Sequence, residues 1–405
     1  GVLDIGTTKI VCLVARIEGD GEPRVLGFGW QRGRGVKGGS IIDLEEAERA
    51  IRAAVAQAEE MADTRLGGVI VNLSCGQPAS RVHNILWPVG GRAVTDADLR
   101  SILAEGERRT ASEGREAVHS IPLGFRVDAT GGVDDPRNMV CDSLSARLHV
   151  VDAASHALLN LGTCLHRCEL EPEEMVSSPF AAGLATLVDD ERELGAVCVD
   201  MGGGATSLAV FAEGRLVHTA QLPVGGWQVT NDLARVLSTP IAHAERLKTM
   251  HGSVLEASDD RNEKLPVPQV GEEDDQIASV PREMLVRIIR PRIEETFELL
   301  RDRLESSGLP MEQRRRIVLT GGASQLIGVR ELAGRVLGRE VTVRLGRPRI
   351  VRGLPETAAG PGFAGSIGLL AWAAGEGRPV LDIAPGPVRT EGWVGRVFGW
   401  LRERL

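Results

Sequence analysis

The sequence predicts an α/β protein made of two similar halves that face each other, with a small α+β domain inserted into the first half. Three observations lead to this fold class. A strand–turn–strand unit with an acidic, glycine-rich turn occurs near the N terminus and again in mid-chain. Segments of helical periodicity alternate with short apolar strand patterns, and one stretch between the two units contains only short strands and a single helix. Repetition of one supersecondary unit at this distance indicates two similar domains.

Composition limits the classes of protein to which the chain can belong. Its 405 residues are enough for two or three domains. The 47 Lys and Arg against 56 Asp and Glu give a formal net charge of −9, which argues against a nucleic-acid coat, because neutralising phosphates needs a basic face. Six scattered Cys without a CxxC pair argue against a disulfide scaffold or a zinc cluster, so we expect reduced thiols in a cytosolic chain. No apolar run reaches the ~20 residues of a membrane span.

Two turns carry the repeat. The first follows an apolar strand and reads Asp4, Ile5, Gly6, Thr7, Thr8 and Lys9, with a second strand over 10–15. The mid-chain turn follows the strand 197–199 and reads Asp200, Met201, Gly202, Gly203, Gly204, Ala205, Thr206 and Ser207, with a second strand over 208–211. Both units are typical of a β-hairpin with small residues at its tip.

The residue types in these turns suit a nucleotide phosphate. Glycines let backbone N–H groups converge on an anion, and hydroxyl donors would come from Thr7, Thr8, Thr206 and Ser207. Asp4 and Asp200 are candidate Mg²⁺ ligands, directly or through water, and Lys9 can approach a β-phosphate as a point charge. A plain hairpin is the alternative for either turn alone, but two turns of matching design favour the phosphate site.

A third turn would complete a nucleotide site. An apolar strand pattern over 316–320 ends in Gly321, Gly322, Ala323 and Ser324, and a helix is predicted from Ser324. Such a turn leaves room for a flat base or a ribose against the backbone. Taken alone it is a weak signal, because loops between strands and helices often contain Gly.

The remaining elements of the first half follow in chain order. Helical periodicity over 43–63 leads into a strand over 68–73. Residues 78–152 then show short strands over 85–89, 118–127 and 143–150 around one helix, which opens at Thr95 with a capping box to Asp98. This stretch is predicted to be the inserted domain. Residues 153–188 return to a helix-rich alternation.

The second half continues with a helical pattern over 229–250. Residues 256–276 hold eight acidic and two basic residues and are predicted to be a solvated, mobile loop. A long amphipathic helix is expected over 281–306, with Pro291 as a kink or restart. A linker rich in Pro and Gly over 376–390 separates a last helix, 391–405, from the body.

That last helix has an apolar arc of about 160° when residues are spaced 100° apart. The arc and the basic residues beside it are the pattern of a helix lying in a membrane interface. Its candidate membrane contacts are Trp393, Val394, Val397, Phe398, Trp400 and Leu401, with Arg396 and Arg402 on the polar side. The alternative is a helix that docks on its own domain or on a partner.

The three turns together resemble the phosphate-1, phosphate-2 and adenosine motifs of the actin/Hsp70/sugar-kinase ATPase superfamily. Within that superfamily the chain is similar to the FtsA family of bacterial cell division proteins over nearly its whole length. Further segments that carry the resemblance are 34–39, 189–195, 225–232, 244–252 and 289–292, and the insert stands where this family replaces an actin subdomain.

The resemblance implies a duplicated actin-like fold with a nucleotide cleft. Its divisions would be 1–77, 153–194 and 353–375 for subdomain 1A; 78–152 for the inserted subdomain 1C; 195–225 and 291–352 for subdomain 2A; and 226–290 for subdomain 2B. The linker 376–390 and a membrane-targeting helix at 391–405 would follow.

By the same resemblance, ATP with Mg²⁺ would lie between the halves. Its phosphates would contact Gly6, Thr7, Thr8 and Lys9 from one side and Gly202, Gly203, Gly204, Ala205 and Thr206 from the other. Glu245 and Lys248, one turn apart on a helix, would approach ribose and adenine, with an ordinary surface ion pair as the alternative. The adenosine side would be completed by Gly321, Gly322 and Ser324.

Hydrolysis of ATP is left open. Asp200 is the only well-placed acid, and the crossover segment 177–183 has no Gln or acid where actin-like ATPases place a water-orienting residue. We therefore expect slow hydrolysis at best, with ATP acting as a ligand that sets the conformational state and controls self-assembly.

The implied function is to tether the FtsZ ring to the cytoplasmic face of the inner membrane at the division septum. The partners would be the FtsZ C-terminal tail, anionic membrane lipids, other copies of the chain in filaments, and later division proteins. The tail would contact Asn231, Arg292 and Arg287, for which ordinary surface or capping roles are the alternative. A sugar or acid kinase and a pilus assembly ATPase of the same fold are the alternative functions.

Overall fold

The structure is a computed structural model that describes residues 1–19, 21–110, 112–271 and 277–378. The predicted helix 391–405 and the linker beyond Arg378 lie outside the described residues, and so do all the predicted membrane contacts. The strands are β1 Val2–Ile5, β2 Lys9–Ile17, β3 Pro23–Arg32, β4 Val36–Lys37, β5 Ser40–Ile41, β6 Gly68–Leu73, β7 Ala79–Ala93, β8 Arg115–Val127, β9 Thr130–Val133, β10 Val140–Ala154, β11 Glu171–Ser177, β12 Ala196–Met201, β13 Thr206–Ala212, β14 Arg215–Leu222, β15 Lys264–Pro268, β16 Ile277–Pro281, β17 Arg316–Thr320 and β18 Thr342–Leu345.

The helices alternate with these strands. They are α1 Leu44–Ala62, α2 Asp96–Thr110, α3 Ser155–Arg167, α4 Ser178–Thr186, α5 Asp189–Leu194, α6 Gly226–Val236, α7 Ile241–His251, α8 Arg282–Ser306, α9 Met311–Arg314, α10 Val329–Leu337 and α11 Ala364–Ala373. Short 3₁₀ helices occupy Gly322–Gln325, Glu356–Ala358 and Pro361–Phe363.

Two five-stranded sheets have the same topology, which confirms the predicted duplication. The first sheet has the order β3-β2-β1-β6-β11 and the second β14-β13-β12-β17-β18. In each sheet three consecutive antiparallel strands are followed by two strands parallel to the first of the three. The two predicted hairpins, β1–β2 and β12–β13, therefore occupy equivalent central positions in their sheets.

Helix α1 shows how the flanking helices pack on these sheets. Asp43 caps its start by accepting a hydrogen bond from the Glu46 N–H at 3.0 Å, which agrees with the predicted helix over 43–63. Its apolar face packs on β3 so closely that the backbones of the helix and the strand touch. A Cβ on Gly29 would lie 1.8 Å from the Ala54 carbonyl oxygen, so only glycine permits this approach.

A layer of two apolar helices lies between the two sheets. All nine residues of α4 are buried, and eight of the ten residues of α11 are buried beside them. The two helices touch through their backbones, since a Cβ on Gly368 would lie 1.6 Å from the Ala181 carbonyl oxygen. Gly183 makes a similar approach to the Phe211 ring of the second sheet. This layer joins the cores of the two halves.

The inserted domain is a four-stranded sheet of order β7-β10-β8-β9 covered by α2, with its own apolar core. Its strands are longer than the sequence predicted. It reaches the second half through Ser80, whose hydroxyl lies 3.1 Å from His218 Nδ1 and accepts from the Thr219 N–H at 3.2 Å. His149 Nε2 of β10 lies 2.8 Å from the same hydroxyl oxygen.

Part of the acidic segment 256–276 is ordered structure rather than the predicted loop. Strand β15 lies within it and pairs with β16, and Leu265 and Val267 are buried in the core of the second half. The alternation of apolar and polar residues in β15 buries one face, which the high acidic content of the whole segment concealed. Residues 272–276 lie outside the described residues.

Two predicted helices are divided differently in the structure. The helical pattern over 229–250 is two helices, α6 and α7, because Ser238 is left-handed (φ 50°) and Pro240 begins a new helix. The helix predicted from Ser324 begins only at Val329, after a 3₁₀ turn and the left-handed Gly328 (φ 82°). Helix α8 runs through Pro291 without a restart, so of the two expected outcomes only the restart is wrong.

The capping box predicted at the start of α2 is present. The Asp98 carboxylate accepts from the Thr95 N–H at 2.9 Å, and the Asp98 N–H reaches Thr95 Oγ1 at 3.4 Å. Asp98 also binds Arg92 through both guanidinium nitrogens and the Trp87 indole at 3.1 Å. These Arg92 hydrogen bonds, followed by those of Thr95 and Trp87, hold the pKa of Asp98 well below its usual range against the effect of burial.

We expect Asp98→Ala to lower the free energy of unfolding by about 3 kcal/mol, since it leaves Arg92, Thr95 and Trp87 without their shared acceptor. The lowered pKa means that the Asp98 contribution is present above the unfolded-state pKa of about 4 and declines as the pH falls below it. Urea unfolding at several pH values measures both effects. Asp142→Ala, at an exposed acid on β10 of the same inserted domain, should change stability by less than about 0.5 kcal/mol. An equal loss in both variants would contradict the prediction.

Candidate nucleotide cleft

The two repeated turns have the same closing geometry. In the first, the Gly6 N–H donates to the Lys9 carbonyl oxygen at 2.9 Å, and in the second the Gly202 N–H donates to that of Ala205 at 2.9 Å. Asn72 on β6 holds the first turn, because its Oδ1 accepts from the Ile5 N–H at 2.7 Å. The two turns that repeat in the sequence are therefore closed by matching hydrogen bonds in the structure.

The tips of the two turns lie against each other. A Cβ on Gly203 would lie 2.3 Å from Thr8 Cγ2, and one on Gly204 would lie 2.2 Å from Thr7 Oγ1. Glycine at both positions thus permits an approach that any larger residue would block. The hydroxyl of Thr7 also accepts from the Gly39 N–H at 3.3 Å. The phosphate-binding candidates of both halves are brought together at one place.

Behind the tips lies a half-buried group of three charged side chains, Asp4, Lys9 and Asp200. Asp4 Oδ2 accepts from Ser366 Oγ at 2.8 Å. Burial raises the pKa of Asp4, opposed by the charge of Lys9, and raises the pKa of Asp200 to about 7, with Asp4 adding to the increase. Burial lowers the pKa of Lys9, opposed by both carboxylates. Its ammonium also lies 3.8 Å from the centroid of the Phe363 ring.

This donor set fits a nucleotide with Mg²⁺. Two half-buried carboxylates and nearby Thr hydroxyls are oxygen ligands of the kind that Mg²⁺ prefers. Mg²⁺ usually takes only one or two carboxylates, because it keeps water and phosphate oxygens in its shell. Among the described residues, no cluster of three or more His, Cys, Asp or Glu side chains could hold a metal ion by itself. A metal at Asp4 and Asp200 would therefore depend on the phosphates for its other ligands.

The third glycine turn joins the same cluster. Gly321 is left-handed (φ 87°), and a Cβ on it would lie 2.3 Å from Asp200 Oδ1. Its N–H donates to the Pro361 carbonyl oxygen at 3.2 Å. The hydroxyl of Ser324 is buried and donates to the Gly321 carbonyl oxygen at 2.8 Å, so it shapes the turn from within. Gly322, beside it, opens the 3₁₀ helix.

Glu245 and Lys248 on α7 form a partly buried ion pair at 2.7 Å. The Lys248 ammonium also donates to Thr230 Oγ1 at 2.8 Å and to the Gly226 carbonyl oxygen at 3.0 Å, which uses all three of its protons. Gly226 in turn donates its N–H to Gly202 at 2.9 Å, so the pair lies beside the second turn. Glu245 is the more exposed member of the pair.

The candidate partner-binding residues lie on two helices that contact each other. Arg292 on α8 binds the Asp232 carboxylate of α6 at 2.7 Å and 3.2 Å and also pairs with Glu295. Asn231 is the half-buried neighbour of Asp232. Arg287 lies earlier on α8 and pairs with Glu283 at 2.7 Å. Both arginines are therefore in ion pairs, and Arg292 is the one that joins α8 to α6.

One polar side chain near the turns escaped the sequence reasoning. The crossover segment 177–183 is buried and holds no acid or Gln, as the sequence shows. Gln221, on strand β14 of the second half, lines a small cavity together with Ser177 of the first half. Its position opposite Ser207 in the β13–β14 register could have indicated this, but only after the hairpin had been placed.

Comparison with known proteins supports one family. A model of "Cell division protein FtsA" matches residues 197–368, and a model of the "SHS2 domain inserted in FTSA" matches residues 76–152. A relative from Agrobacterium fabrum, "Cell division protein FtsA", is 44% identical over 99% of this chain and 94% of its own length.

Solved structures show the same fold at low sequence identity. A "PilM-PilN type IV pilus biogenesis complex" matches 93% of this chain and 98% of that chain with a TM-score of 0.63 at 19% identity. MreB 5 of Spiroplasma citri bound to AMPPNP matches 91% of this chain and 93% of that chain with a TM-score of 0.53 at 13% identity. The architecture is therefore actin-like. No helix within the described ranges is long and apolar enough to cross a membrane.

The raised pKa of Asp200 predicts a pH dependence of stability. The folded protein binds more protons than the unfolded chain between the unfolded pKa of about 4 and the folded pKa of about 7, so the free energy of unfolding falls as the pH rises through this window. We expect Asp200→Asn to remove this slope and to gain about 2 kcal/mol relative to wild type between about pH 5 and about pH 8 without nucleotide. Urea unfolding measures it, with the exposed Asp190→Asn as control. Parallel pH profiles for wild type and Asp200→Asn would show that Asp200 titrates normally.

Proposed function

The chain belongs to the FtsA family of cell division proteins, and on that premise we propose that it is an ATP-binding tether between the FtsZ ring and the cytoplasmic membrane. It would act on the inner face of that membrane at the division septum, assemble there into filaments, and recruit later division proteins. The observation that carries the proposal is the convergence of two matched turns on the half-buried group Asp4, Lys9 and Asp200.

ATP with Mg²⁺ is the ligand that this convergence favours. The two turns offer backbone N–H groups and Thr hydroxyls, and Lys9 offers a cation between two carboxylates that Mg²⁺ would neutralise. The solved MreB 5 structure with bound AMPPNP, which shares the fold, supports a nucleotide in this cleft. Gly321 and Gly322 would face the adenosine, and Glu245 and Lys248 would lie near the ribose and base.

The bound nucleotide would set the arrangement of the two halves. Because Thr7 and Thr8 of one half touch Gly204 and Gly203 of the other, a phosphate held between these turns interacts with both halves at once. A ligand that binds one arrangement better than another shifts the population toward it. Self-assembly would follow that shift, with the subdomain divisions given by the resemblance as the moving bodies.

The second half would hold the C-terminal tail of FtsZ. An acidic, partly apolar peptide fits the side formed by α6 and α8, where Arg292, Arg287 and Asn231 lie and where Met284 and Val236 expose apolar surface. Arg292 already binds Asp232, so an acidic tail would compete with that carboxylate for one guanidinium. The residues 391–405 would bind anionic lipids through their apolar and basic sides.

The tail-binding part of the proposal predicts a loss in Arg292→Ala. We expect this variant to bind an acidic tail peptide about tenfold more weakly than wild type at low salt, and its affinity to depend less on salt, because a charge contact is removed. Fluorescence anisotropy with a labelled peptide measures the dissociation constant. Arg330→Ala, which removes an exposed arginine paired with Glu331 on α10, is the matched control. Equal affinity in Arg292→Ala and wild type would overturn this placement.

The membrane part of the proposal predicts a loss in the double variant Trp393→Glu, Phe398→Glu. We expect co-sedimentation with phosphatidylglycerol vesicles to fall more than about tenfold, because burying a carboxylate in the interface opposes insertion of the apolar side. The control is Trp30→Glu, which places the same charge at a half-exposed Trp of the body. If the double variant sediments with vesicles as well as wild type does, residues 391–405 are not the anchor.

A further inference from the structure

We propose that Gln221 positions the water molecule that attacks the γ-phosphate of bound ATP, with the Ser177 hydroxyl as its second contact. The inference deepens the proposed function and rests on ATP binding in the cleft. The crossover segment 177–183 holds no acid or Gln, so a side chain that orients water has to come from another part of the fold.

The site is a small cavity between the two halves. The first half contributes Ser74 and Ser177, and the second half contributes Ser207 and Gln221. Ser177 is fully buried, and its N–H donates to His119 Nε2 at 3.0 Å, which fixes the backbone at the start of α4. The wall also holds apolar residues, among them Leu73, Pro179 and Ala220, so the hydroxyl and amide groups that reach it from both sheets are its few polar sites, and they can hold a water molecule.

Two polar atoms in the cavity wall have unused bonding capacity. Gln221 Nε2 donates to the Ser74 carbonyl oxygen at 3.0 Å. A carbonyl can only accept, so this bond sets the orientation of the amide and leaves Oε1 as an acceptor. Gln221 Oε1 and Ser177 Oγ are both buried, and neither has a hydrogen-bond partner among the described residues. Buried polar atoms are normally paired, so a water bridging these two atoms would satisfy both.

The cavity adjoins the tips of the phosphate turns. The Ser74 carbonyl oxygen that orients Gln221 lies 2.2 Å from where a Cβ on Gly39 would stand. The Gly39 N–H donates to Thr7 Oγ1, and Thr7 is the residue that touches Gly204 across the cleft. Gln221 is thus connected through Ser74 and Gly39 to the point where the two turns meet.

The chemistry requires orientation rather than proton abstraction. An amide is not a base, so Gln221 does not remove a proton from the water. Its Oε1 accepts a hydrogen bond from the water and thereby directs the lone pair of the water oxygen at the γ-phosphorus. As the bond from water oxygen to phosphorus forms, the bond from phosphorus to the β,γ-bridging oxygen breaks, and its electron pair stays on ADP. The water proton passes to an oxygen of the departing phosphate. The products are ADP and inorganic phosphate.

The test compares Gln221→Met with wild type in the full chain. Methionine keeps the length of the side chain and removes the acceptor. We expect the single-turnover rate of ATP hydrolysis with Mg²⁺ at saturating ATP to fall on the order of 10²-fold, with AMPPNP affinity within about twofold of wild type. Trapping of ADP with aluminium fluoride, which mimics the transition state, should be lost in Gln221→Met. This second readout does not require a measurement of turnover. Gln269→Met is the control, because Gln269 also donates its amide to backbone carbonyls of the second half, at 3.2 Å and 3.4 Å.

Each outcome decides the question. A wild-type rate in Gln221→Met, or a wild-type chain that binds AMPPNP without hydrolysing ATP, overturns the inference and leaves the proposed function intact. An equal loss of AMPPNP affinity and rate in Gln221→Met assigns Gln221 a structural role and also overturns it. A wild-type chain that binds no AMPPNP overturns both the inference and the proposed ATP binding.

Discussion

The backbone contact between α4 and α11 is the constraint on which the arrangement of the molecule depends. Gly368 and Ala181 touch at a distance that leaves no room for a side chain, and Gly183 presses on Phe211 of the second sheet. The two helices form one apolar layer between the sheets, so the sheets cannot shift independently without opening the core. Because β1 and β12 lie next to this layer, it also sets how close the two phosphate turns come.

That closeness concentrates charge. Asp4, Lys9 and Asp200 are together largely withdrawn from water, where each would be solvated at no cost, and here one ammonium must serve two carboxylates. The raised pKa of Asp200 indicates that this group binds a proton near neutral pH, and the proton lowers the electrostatic cost of placing two carboxylates side by side. Cation binding at this place would relieve the same repulsion. Folding stability and ligand binding are therefore coupled at one set of side chains.

On the surface of the second half, the candidate partner-binding arginines are likewise paired with carboxylates. Arg292 links α8 to α6 through Asp232, and Arg287 pairs with Glu283 within α8. An acidic peptide bound there would have to replace one of these carboxylates, and this exchange would favour selectivity for acidic peptides over high affinity. The inserted domain is tied to the second half in the same polar manner, through Ser80, His218 and Thr219.

Features encoded within a short stretch of chain were determined by the sequence alone. These include the duplicated hairpins, helix α1 with its cap at Asp43, strand β6 and the Thr95–Asp98 capping box, because periodicity, glycine position and capping act over a few residues. Only the tertiary structure decided that Lys9 lies between carboxylates 196 positions apart, that one face of β15 is buried, and that Gln221 and Ser177 line one cavity. The reason is physical: these contacts join residues distant in the chain, and they exist only once α4 and α11 have brought the two sheets together.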